Sequence, residues 1–175
     1  MALTLILGGA RSGKTALAQE RASRLHHDVV YIATAQAHDQ EMQERIQRHR
    51  QSRPSHWHIV EEPVYLARAV SEHAAPNRTL LVDCLTLWLT NLLTHPGDPL
   101  ILGEQKSALL LQLSRVTGDV ILVSNETGLG IVPMGVLSRR FVDENGWLNQ
   151  ALGQLCHRVT LVVAGLPMEL KGGNV

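Results

Sequence analysis

Near its N-terminus the chain reads Gly-Gly-Ala-Arg-Ser-Gly-Lys-Thr at residues 8–15, directly after an apolar run at residues 3–7. This segment fits the G-x-x-x-x-G-K-[ST] template, in which the backbone N–H groups of a tight loop wrap a nucleotide polyphosphate. Helix-forming residues follow, which predicts a helix over about residues 14–25 whose positive dipole end faces the phosphates. The segment therefore predicts a strand, a phosphate loop and a helix; the alternative is a glycine-rich turn that matches by chance.

Individual positions of this loop have predicted roles in nucleotide binding. Gly8 and Gly13 allow backbone angles and close approaches that a Cβ would block. Lys14 is placed to reach the β- and γ-phosphates, and the Thr15 hydroxyl is placed to ligate Mg²⁺. The predicted nucleotide-binding loop also includes Gly9, Ala10, Arg11 and Ser12.

Length and composition limit the class of protein. A chain of 175 residues suits one domain over residues 1–175, because about 70% of its unfolded surface can be buried in a single core. Acidic and basic residues balance at 16 each, which argues against binding to nucleic acid or an anionic membrane. Cys84 and Cys156 lack metal-site spacing, so buried thiols in a reducing cytoplasm are expected. No run reaches the roughly 18 apolar residues of a membrane span, and a cytoplasmic protein is predicted.

Apolar strands alternate with helical segments along the rest of the chain. Strands are predicted at residues 29–33, 57–60, 79–83, 120–123 and 159–163. Helices are predicted at about residues 40–51, 63–73, 85–93, 104–115, 136–142 and 148–157, followed by a frayed tail from residue 168. This alternation predicts an α/β fold of the P-loop NTPase (RecA-like) type, a mostly parallel sheet with helices on both faces. One edge of that sheet then collects Lys14, Thr15, Thr34, Asp83, Asn125 and Glu126.

A carboxylate ends the apolar strand at residues 79–83, as in a Walker B strand. In that role Asp83 would hold Mg²⁺ beside the phosphate-loop threonine, usually through water. Asp83 and Thr15 are therefore the predicted metal ligands. The alternative role for Asp83 is to cap the helix that follows.

The second predicted helix places His49 on one face with Met42 and Ile46. Four arginines surround this histidine in the sequence: Arg45, Arg48, Arg50 and Arg53. On its own, the pattern favours a packed histidine beside a solvated basic face over a catalytic histidine.

The chain resembles the bifunctional adenosylcobinamide kinase/adenosylcobinamide-phosphate guanylyltransferase family of cobalamin biosynthesis. Besides the phosphate loop, the matching segments are R-I-x-x-H at residues 45–49, R-P-x-x-W at residues 53–57, L-V-D-C-L-T at residues 81–86 and N-E-x-G-x-G-I-V-P at residues 125–133. The resemblance implies an enzyme with two reactions. It phosphorylates the aminopropanol hydroxyl of adenosylcobinamide with ATP or GTP. It then transfers GMP from GTP to that phosphate through a covalent guanylyl-histidine, which gives adenosylcobinamide-GDP.

By the same resemblance, His49 is the guanylyl carrier and a catalytic residue alongside Lys14. A neutral imidazole can attack the α-phosphorus of GTP without a strong base. The guanine-nucleotide site is expected to include Ala33, Thr34, Ala35, Arg50, Gln51, Ser52, Arg53, Glu61 and Asp83. The implied cofactor is Mg²⁺, the implied partners are ATP, GTP, adenosylcobinamide and its phosphate, and members of the family assemble as trimers.

Three other polar residues are interpreted less specifically. Glu62 is taken as a solvated charge, and Asn125 and Glu126 either contact a ligand or form a capped polar turn. Two other functions also stay open. A plain small-molecule kinase would leave the His49 region structural, and a nucleotide-gated switch or RecA-like nucleic-acid-binding module would need no small-molecule acceptor. The zero net charge and the 3% aromatic content count against nucleic-acid binding.

Overall fold

A computed structural model describes residues 2–25, 27–36, 40, 43, 44, 47 and 54–173. The elements are β1 (Leu3–Gly8), α1 (Lys14–Arg24), β2 (Asp28–Ala33), β3 (His58–Glu61), α2 (Leu66–His73), β4 (Arg78–Asp83), α3 (Leu85–Leu93), α4 (Ile101–Leu113), β5 (Asp119–Asn125), α5 (Val136–Leu155), β6 (Arg158–Val163) and β7 (Leu166–Lys171). The described residues of the predicted second helix are helical: Gln40, Gln43, Glu44 and Gln47. The predicted alternation of strands and helices is confirmed.

The strands form one sheet in the order β3-β2-β4-β5-β1-β6-β7. All neighbouring strands run parallel except β7, which is antiparallel to β6 at one edge. Helix α1 packs on one face of the sheet, and α2, α3, α4 and α5 pack on the other. Right-handed crossovers between parallel strands produce this two-sided covering. The predicted mostly parallel α/β fold is therefore confirmed.

Helix α5 is one helix of 20 residues, so the prediction of two shorter helices in this region is wrong. Gly146 lies inside it, and a Cβ added there would meet no atom within 4 Å. The buried residues on either side keep one face of the helix on the sheet: Asn145, Leu148, Asn149 and Leu152. Burial of that face outweighs the roughly 1 kcal/mol that one glycine costs inside a helix.

Helix α2 begins at Leu66, so its predicted start at Pro63 is also wrong. The Glu62 carboxylate accepts hydrogen bonds from the backbone N–H groups of Val64 (3.0 Å) and Tyr65 (2.8 Å). These bonds stabilise a turn ahead of the helix, and the negative charge of the carboxylate interacts favourably with the positive end of the helix dipole. The Glu62 side chain is only 12% exposed, which corrects its interpretation as a solvated charge.

The C-terminal segment forms a β-hairpin, so the predicted frayed tail from residue 168 is wrong as far as Lys171. Strand β7 pairs with β6, and the turn between them consists of Ala164 (φ 51°) and Gly165 (φ 81°). Two consecutive residues with positive φ are what a type I′ hairpin turn requires. Pro167 is compatible with β7 because this strand lies at the sheet edge. The Gly165 N–H donates to the Ser12 carbonyl at 3.0 Å, so the hairpin turn supports the phosphate loop.

Replacing Gly165 with alanine is expected to lower the free energy of unfolding by about 1–2 kcal/mol. The cause is the backbone alone, because φ is 81° and a Cβ would meet no atom within 4 Å. Urea unfolding of the two proteins measures the difference. The matched control is Gly146→Ala in α5, which should raise stability by up to about 1 kcal/mol. Equal effects of the two substitutions would contradict the assigned turn.

Candidate active site

The loop between β1 and α1 curls tightly over the end of the sheet. Gly13 has φ 97°, a conformation that favours glycine. A Cβ on Gly8 would lie against the Ser12 side chain and 2.7 Å from the Val162 carbonyl oxygen. The Gly9 carbonyl accepts the Ser12 N–H at 3.2 Å, which closes the turn. The two glycines of the phosphate-loop template are thus required by the observed backbone.

Lys14 begins α1 and lies inside this curve. The residue is 8% exposed, and Nζ donates to the Gly9 carbonyl at 3.0 Å. Gly13 is the N-cap and provides no side-chain cap. The first N–H groups of a helix have no partner within the helix, so they and the helix dipole attract an anion. The ammonium group and the start of α1 therefore point to the same anion-binding position.

Asp83 ends β4 on the sheet face that α1 covers. Side chains alternate along a strand, and Leu81, two residues earlier, packs in the core beneath α1. Oδ2 of Asp83 accepts the Tyr31 hydroxyl at 2.5 Å. Helix α3 has Cys84 as its N-cap and shows no side-chain cap. The alternative role of Asp83 as a helix cap is therefore wrong.

The Thr34 side chain is committed to the backbone of the neighbouring strand. Its Oγ1 donates to the Cys84 carbonyl (2.7 Å) and accepts the Cys84 N–H (3.0 Å). Asn91 Nδ2, from α3, donates to the carbonyls of Thr34 (2.8 Å) and Pro63 (3.0 Å). The fully buried threonine thus joins the ends of β2 and β4. A nucleotide contact from residues 33–35 would come from the two alanines or from the backbone.

Amide and hydroxyl side chains also hold the end of β5. The Asn125 N–H donates to Thr86 Oγ1 at 2.7 Å. Its carbonyl accepts hydrogen bonds from Nδ2 of Asn145 (2.9 Å) and Asn149 (3.3 Å). Sequence reasoning assigned no role to Thr86, Asn145, Asn149 or Asn91. The available signal was polar side chains within helices that carry a continuous apolar face.

Glu126, next along the chain, belongs to a polar turn. Its N–H donates to the Gly8 carbonyl at 3.1 Å, and its Oε1 accepts the Gly128 N–H at 2.6 Å. The capped-turn interpretation is therefore confirmed for Glu126. The Asn125 side chain takes no part in these bonds.

The sheet register brings most of the predicted residues to one rim. Gly8 is opposite Asn125, and Ala33 is opposite Asp83. Glu61 pairs with Ala33 at the far edge strand and is exposed. Four strand spacings of about 4.8 Å, or about 19 Å, separate its strand from β1. Glu61 and Lys14 therefore lie toward opposite ends of any nucleotide that they share.

Five predicted site residues lie outside the described residues: His49, Arg50, Gln51, Ser52 and Arg53. Their roles as guanylyl carrier and nucleotide contacts stay predictions. The described residues nearest to them along the chain are Gln47 and Pro54.

The predicted Mg²⁺ site can be compared with the rim geometry. Within the part of the chain that the structure describes, His, Cys, Asp and Glu form no group of three or more that could hold a metal ion. Mg²⁺ at a nucleotide site needs fewer protein ligands, because phosphate oxygens and water complete its shell. Asp83, on the α1 face, and Thr15, in the first turn of α1, offer oxygen atoms of the required kind. The residues present therefore fit this ion.

The two cysteines are buried free thiols, as predicted. Burial raises the pKa of the Cys84 thiol to about 11, and the charge of Asp83 adds to this rise. Burial also raises the pKa of Cys156 to about 12. Because the folded protein holds these protons more tightly than the unfolded chain, their contribution to stability is present below about pH 9. It is lost as the pH rises through about 11.

At pH 8 we expect a thiol reagent such as Ellman's reagent to modify neither cysteine of the native protein. A thiol with a pKa of about 11 is only about 0.1% thiolate at this pH, and the thiolate is the reactive form. Both thiols should react after unfolding in urea. Rapid modification of Cys84 in the native protein would contradict its burial beneath the rim.

None of the helices among the described residues has the length and apolar character of a membrane span.

Over residues 4–170 the chain matches the family described as "Cobinamide kinase / cobinamide phosphate guanyltransferase". It is 59% identical to the bifunctional adenosylcobalamin biosynthesis protein CobP of Pseudomonas aeruginosa over 168 residues, which cover 96% of each chain. It is 38% identical to the bifunctional adenosylcobalamin biosynthesis protein CobU of Escherichia coli, covering 97% of this chain and 99% of that protein.

Solved structures show the same fold at low sequence identity. A Pyrococcus horikoshii OT3 protein superposes with a TM-score of 0.56 at 9% identity, covering 99% of this chain and 87% of the other. The RadB recombinase superposes with a TM-score of 0.50 at 18% identity, covering 91% of this chain and 73% of the other. The fold is that of a P-loop NTPase. Since the family match and both close relatives extend over nearly the whole sequence, the chain belongs to the cobinamide kinase / cobinamide phosphate guanyltransferase family of enzymes.

Proposed function

We propose that this protein phosphorylates the hydroxyl of adenosylcobinamide with ATP or GTP and then transfers GMP from GTP to the new phosphate. The product is adenosylcobinamide-GDP, an intermediate in assembly of the cobalamin nucleotide loop. Two relatives named as bifunctional adenosylcobalamin biosynthesis proteins support the proposal. The observation that carries it is the position of the Lys14 ammonium inside the loop at the head of α1, on the same sheet face as Asp83.

In the kinase step the phosphate loop positions the triphosphate. Backbone N–H groups at the start of α1 bind phosphate oxygens, and Lys14 compensates the charge on the transferring group. Thr15 and Asp83 would hold Mg²⁺, which when bound neutralises charge on the β- and γ-phosphates. The Tyr31 hydroxyl donates to Oδ2 of Asp83 and restrains this carboxylate, whose other oxygen would be the one to hold the ion. Positioning and charge compensation are most of what phosphoryl transfer needs.

In the transferase step His49 is the proposed nucleophile. An imidazole nitrogen bonds to the α-phosphorus of GTP, the bond to the α–β bridging oxygen breaks, and pyrophosphate leaves with that electron pair. A phosphate oxygen of adenosylcobinamide phosphate then attacks the same phosphorus, and the imidazole leaves. Arg50 and Arg53 would stabilise charge on the transferring group through charge-assisted hydrogen bonds.

We further propose that the protein is cytoplasmic and assembles as a trimer, as the family resemblance implies. Two separate surfaces expose apolar side chains. The loop between β5 and α5 exposes Leu129, Ile131, Val132 and Met134, and β7 exposes Leu166, Met168 and Leu170. A closed ring of three subunits needs two different complementary surfaces on each subunit. Exposed apolar side chains in two places support such an assembly.

The direct test incubates the purified protein with adenosylcobinamide, ATP, GTP and Mg²⁺ and follows the corrinoid by mass spectrometry. The expected products are first the phosphate and then the GDP derivative. Formation of the phosphate alone would show that the protein is a plain small-molecule kinase. Nucleotide hydrolysis that is equally fast without the corrinoid, and leaves it unchanged, would point to a nucleotide-gated switch.

A further inference from the structure

We infer that Asn125 is a further catalytic residue of the kinase step. Its side-chain oxygen accepts a hydrogen bond from the acceptor hydroxyl that attacks the γ-phosphate. The inference rests on the proposed function, because it assigns a residue to one of the two proposed reactions.

The first support is the sheet face on which the side chain lies. Val123 of β5 packs in the core beneath α1, and Oγ of Ser124 lies 3.5 Å from Oδ1 of Asn145 on α5. Successive side chains of a strand point to opposite faces. Asn125 therefore returns to the α1 face, where the phosphate loop begins its helix.

The second support is its place between the two halves of the nucleotide site. Strand β5 lies between β4, which ends in Asp83, and β1, which ends in Gly8. Asn125 is opposite Gly8 in the register, and the next residue, Glu126, donates its N–H to the Gly8 carbonyl at 3.1 Å. The Asn125 side chain thus stands at the rim beside the phosphate loop, two residues beyond Val123, which is opposite Asp83 in the register.

The third support is the state of the amide itself. The backbone of Asn125 is fixed by Thr86, Asn145 and Asn149, so its main-chain groups are already occupied. Its Oδ1 is buried and has no hydrogen-bond partner among the residues that the structure describes. Buried polar atoms without partners are rare in folded proteins. A phosphate oxygen cannot supply the missing hydrogen, because like Oδ1 it is an acceptor, whereas an acceptor hydroxyl can.

The chemical role follows from this geometry. The hydroxyl oxygen bonds to the γ-phosphorus while the bond to the β–γ bridging oxygen breaks, and the nucleoside diphosphate leaves with that electron pair. The hydroxyl proton passes to solvent. Asn125 is not the base, since an amide does not take up a proton; its Oδ1 orients the O–H so that the oxygen lone pair faces phosphorus. Alignment of the attacking group is a major part of catalysis in such displacements.

The test compares Asn125→Ala with the wild-type protein in two separate assays. One measures phosphorylation of adenosylcobinamide by ATP, and the other measures GMP transfer from GTP to added adenosylcobinamide phosphate. Asn125→Leu is the second variant, because leucine has the same number of side-chain heavy atoms as asparagine, branched at the same carbon, and so leaves no cavity. The matched control is Ser124→Ala, the adjacent position on the opposite sheet face. Thermal unfolding verifies that each variant is folded.

For both Asn125 variants we expect kcat of phosphorylation to fall by about 10- to 100-fold, with the KM for ATP and the rate of GMP transfer within about threefold of wild type. Ser124→Ala should keep both rates within about threefold. Phosphorylation at the wild-type rate in a folded Asn125 variant would overturn the inference, and so would an equal loss of both activities. Absence of phosphorylation by the wild-type protein would instead overturn the proposed function.

Discussion

Replacing Lys14 with alanine is expected to lower kcat/KM for phosphorylation of adenosylcobinamide by about 10³-fold, which corresponds to about 4 kcal/mol of transition-state stabilisation. The ammonium lies inside the phosphate loop, where its Nζ contacts the Gly9 carbonyl and its side chain is almost entirely shielded from water. A cation in such a place acts on developing phosphate charge with little screening by solvent. Steady-state kinetics with ATP and the corrinoid measures the loss.

The matched control for this substitution is Lys106→Ala. Lys106 lies on α4, where its Nζ contacts Glu144 Oε2 at 2.5 Å, and its side chain is 17% exposed. Its removal should leave kcat/KM within about threefold of wild type. A Lys14 variant that retains a tenth or more of the wild-type kcat/KM would contradict the assigned role of the phosphate loop.

Replacing His49 with alanine is expected to lower GMP transfer by at least about 10³-fold while changing phosphorylation by less than about threefold. The reason is that the proposed covalent route needs the imidazole as nucleophile, whereas the proposed kinase step uses Lys14, Thr15 and Asp83 instead. The measurement is incorporation of label from α-labelled GTP into the protein, together with the rate of GMP transfer to adenosylcobinamide phosphate.

The matched control for the nucleophile is His95→Ala. His95 follows α3, at the end of that helix remote from Asp83, and its Nδ1 accepts the Gly97 N–H at 3.3 Å. This variant should take up label like the wild-type protein. Labelling of His49→Ala at the wild-type level would show that another residue carries the nucleotide.

Local sequence patterns were sufficient to predict the rim of the sheet. Three of the buried strands show as short apolar runs that end in a polar residue or glycine, at Gly8, Asp83 and Asn125. Because the strands are parallel, their carboxyl ends meet, and the phosphate loop and Asp83 fall on the same edge without knowledge of the strand order. The helix at Leu85–Leu93 also matches its predicted bounds, since a strongly apolar segment ends before a Pro- and Gly-rich segment.

Long-range contacts set the features that the sequence did not predict. The C-terminal hairpin is stabilised by pairing with β6 and by the bond from Gly165 to Ser12, residues far apart in the chain. The Tyr31 hydroxyl reaches Asp83 across 52 positions, and Asn91 reaches the Thr34 carbonyl across 57. A local pattern of polar and apolar residues carries no information about such partners. These contacts position the site, so its supporting residues emerge only from the structure.

The most direct test of the account is a label-and-chase measurement on the wild-type protein. The protein is incubated with α-labelled GTP and Mg²⁺, separated from free nucleotide, and then given unlabelled adenosylcobinamide phosphate. We predict that it acquires an acid-labile, base-stable label and that the chase transfers this label to the corrinoid. A protein that takes up no label, or whose bound label does not move to the corrinoid, would contradict the proposed guanylyl-histidine route.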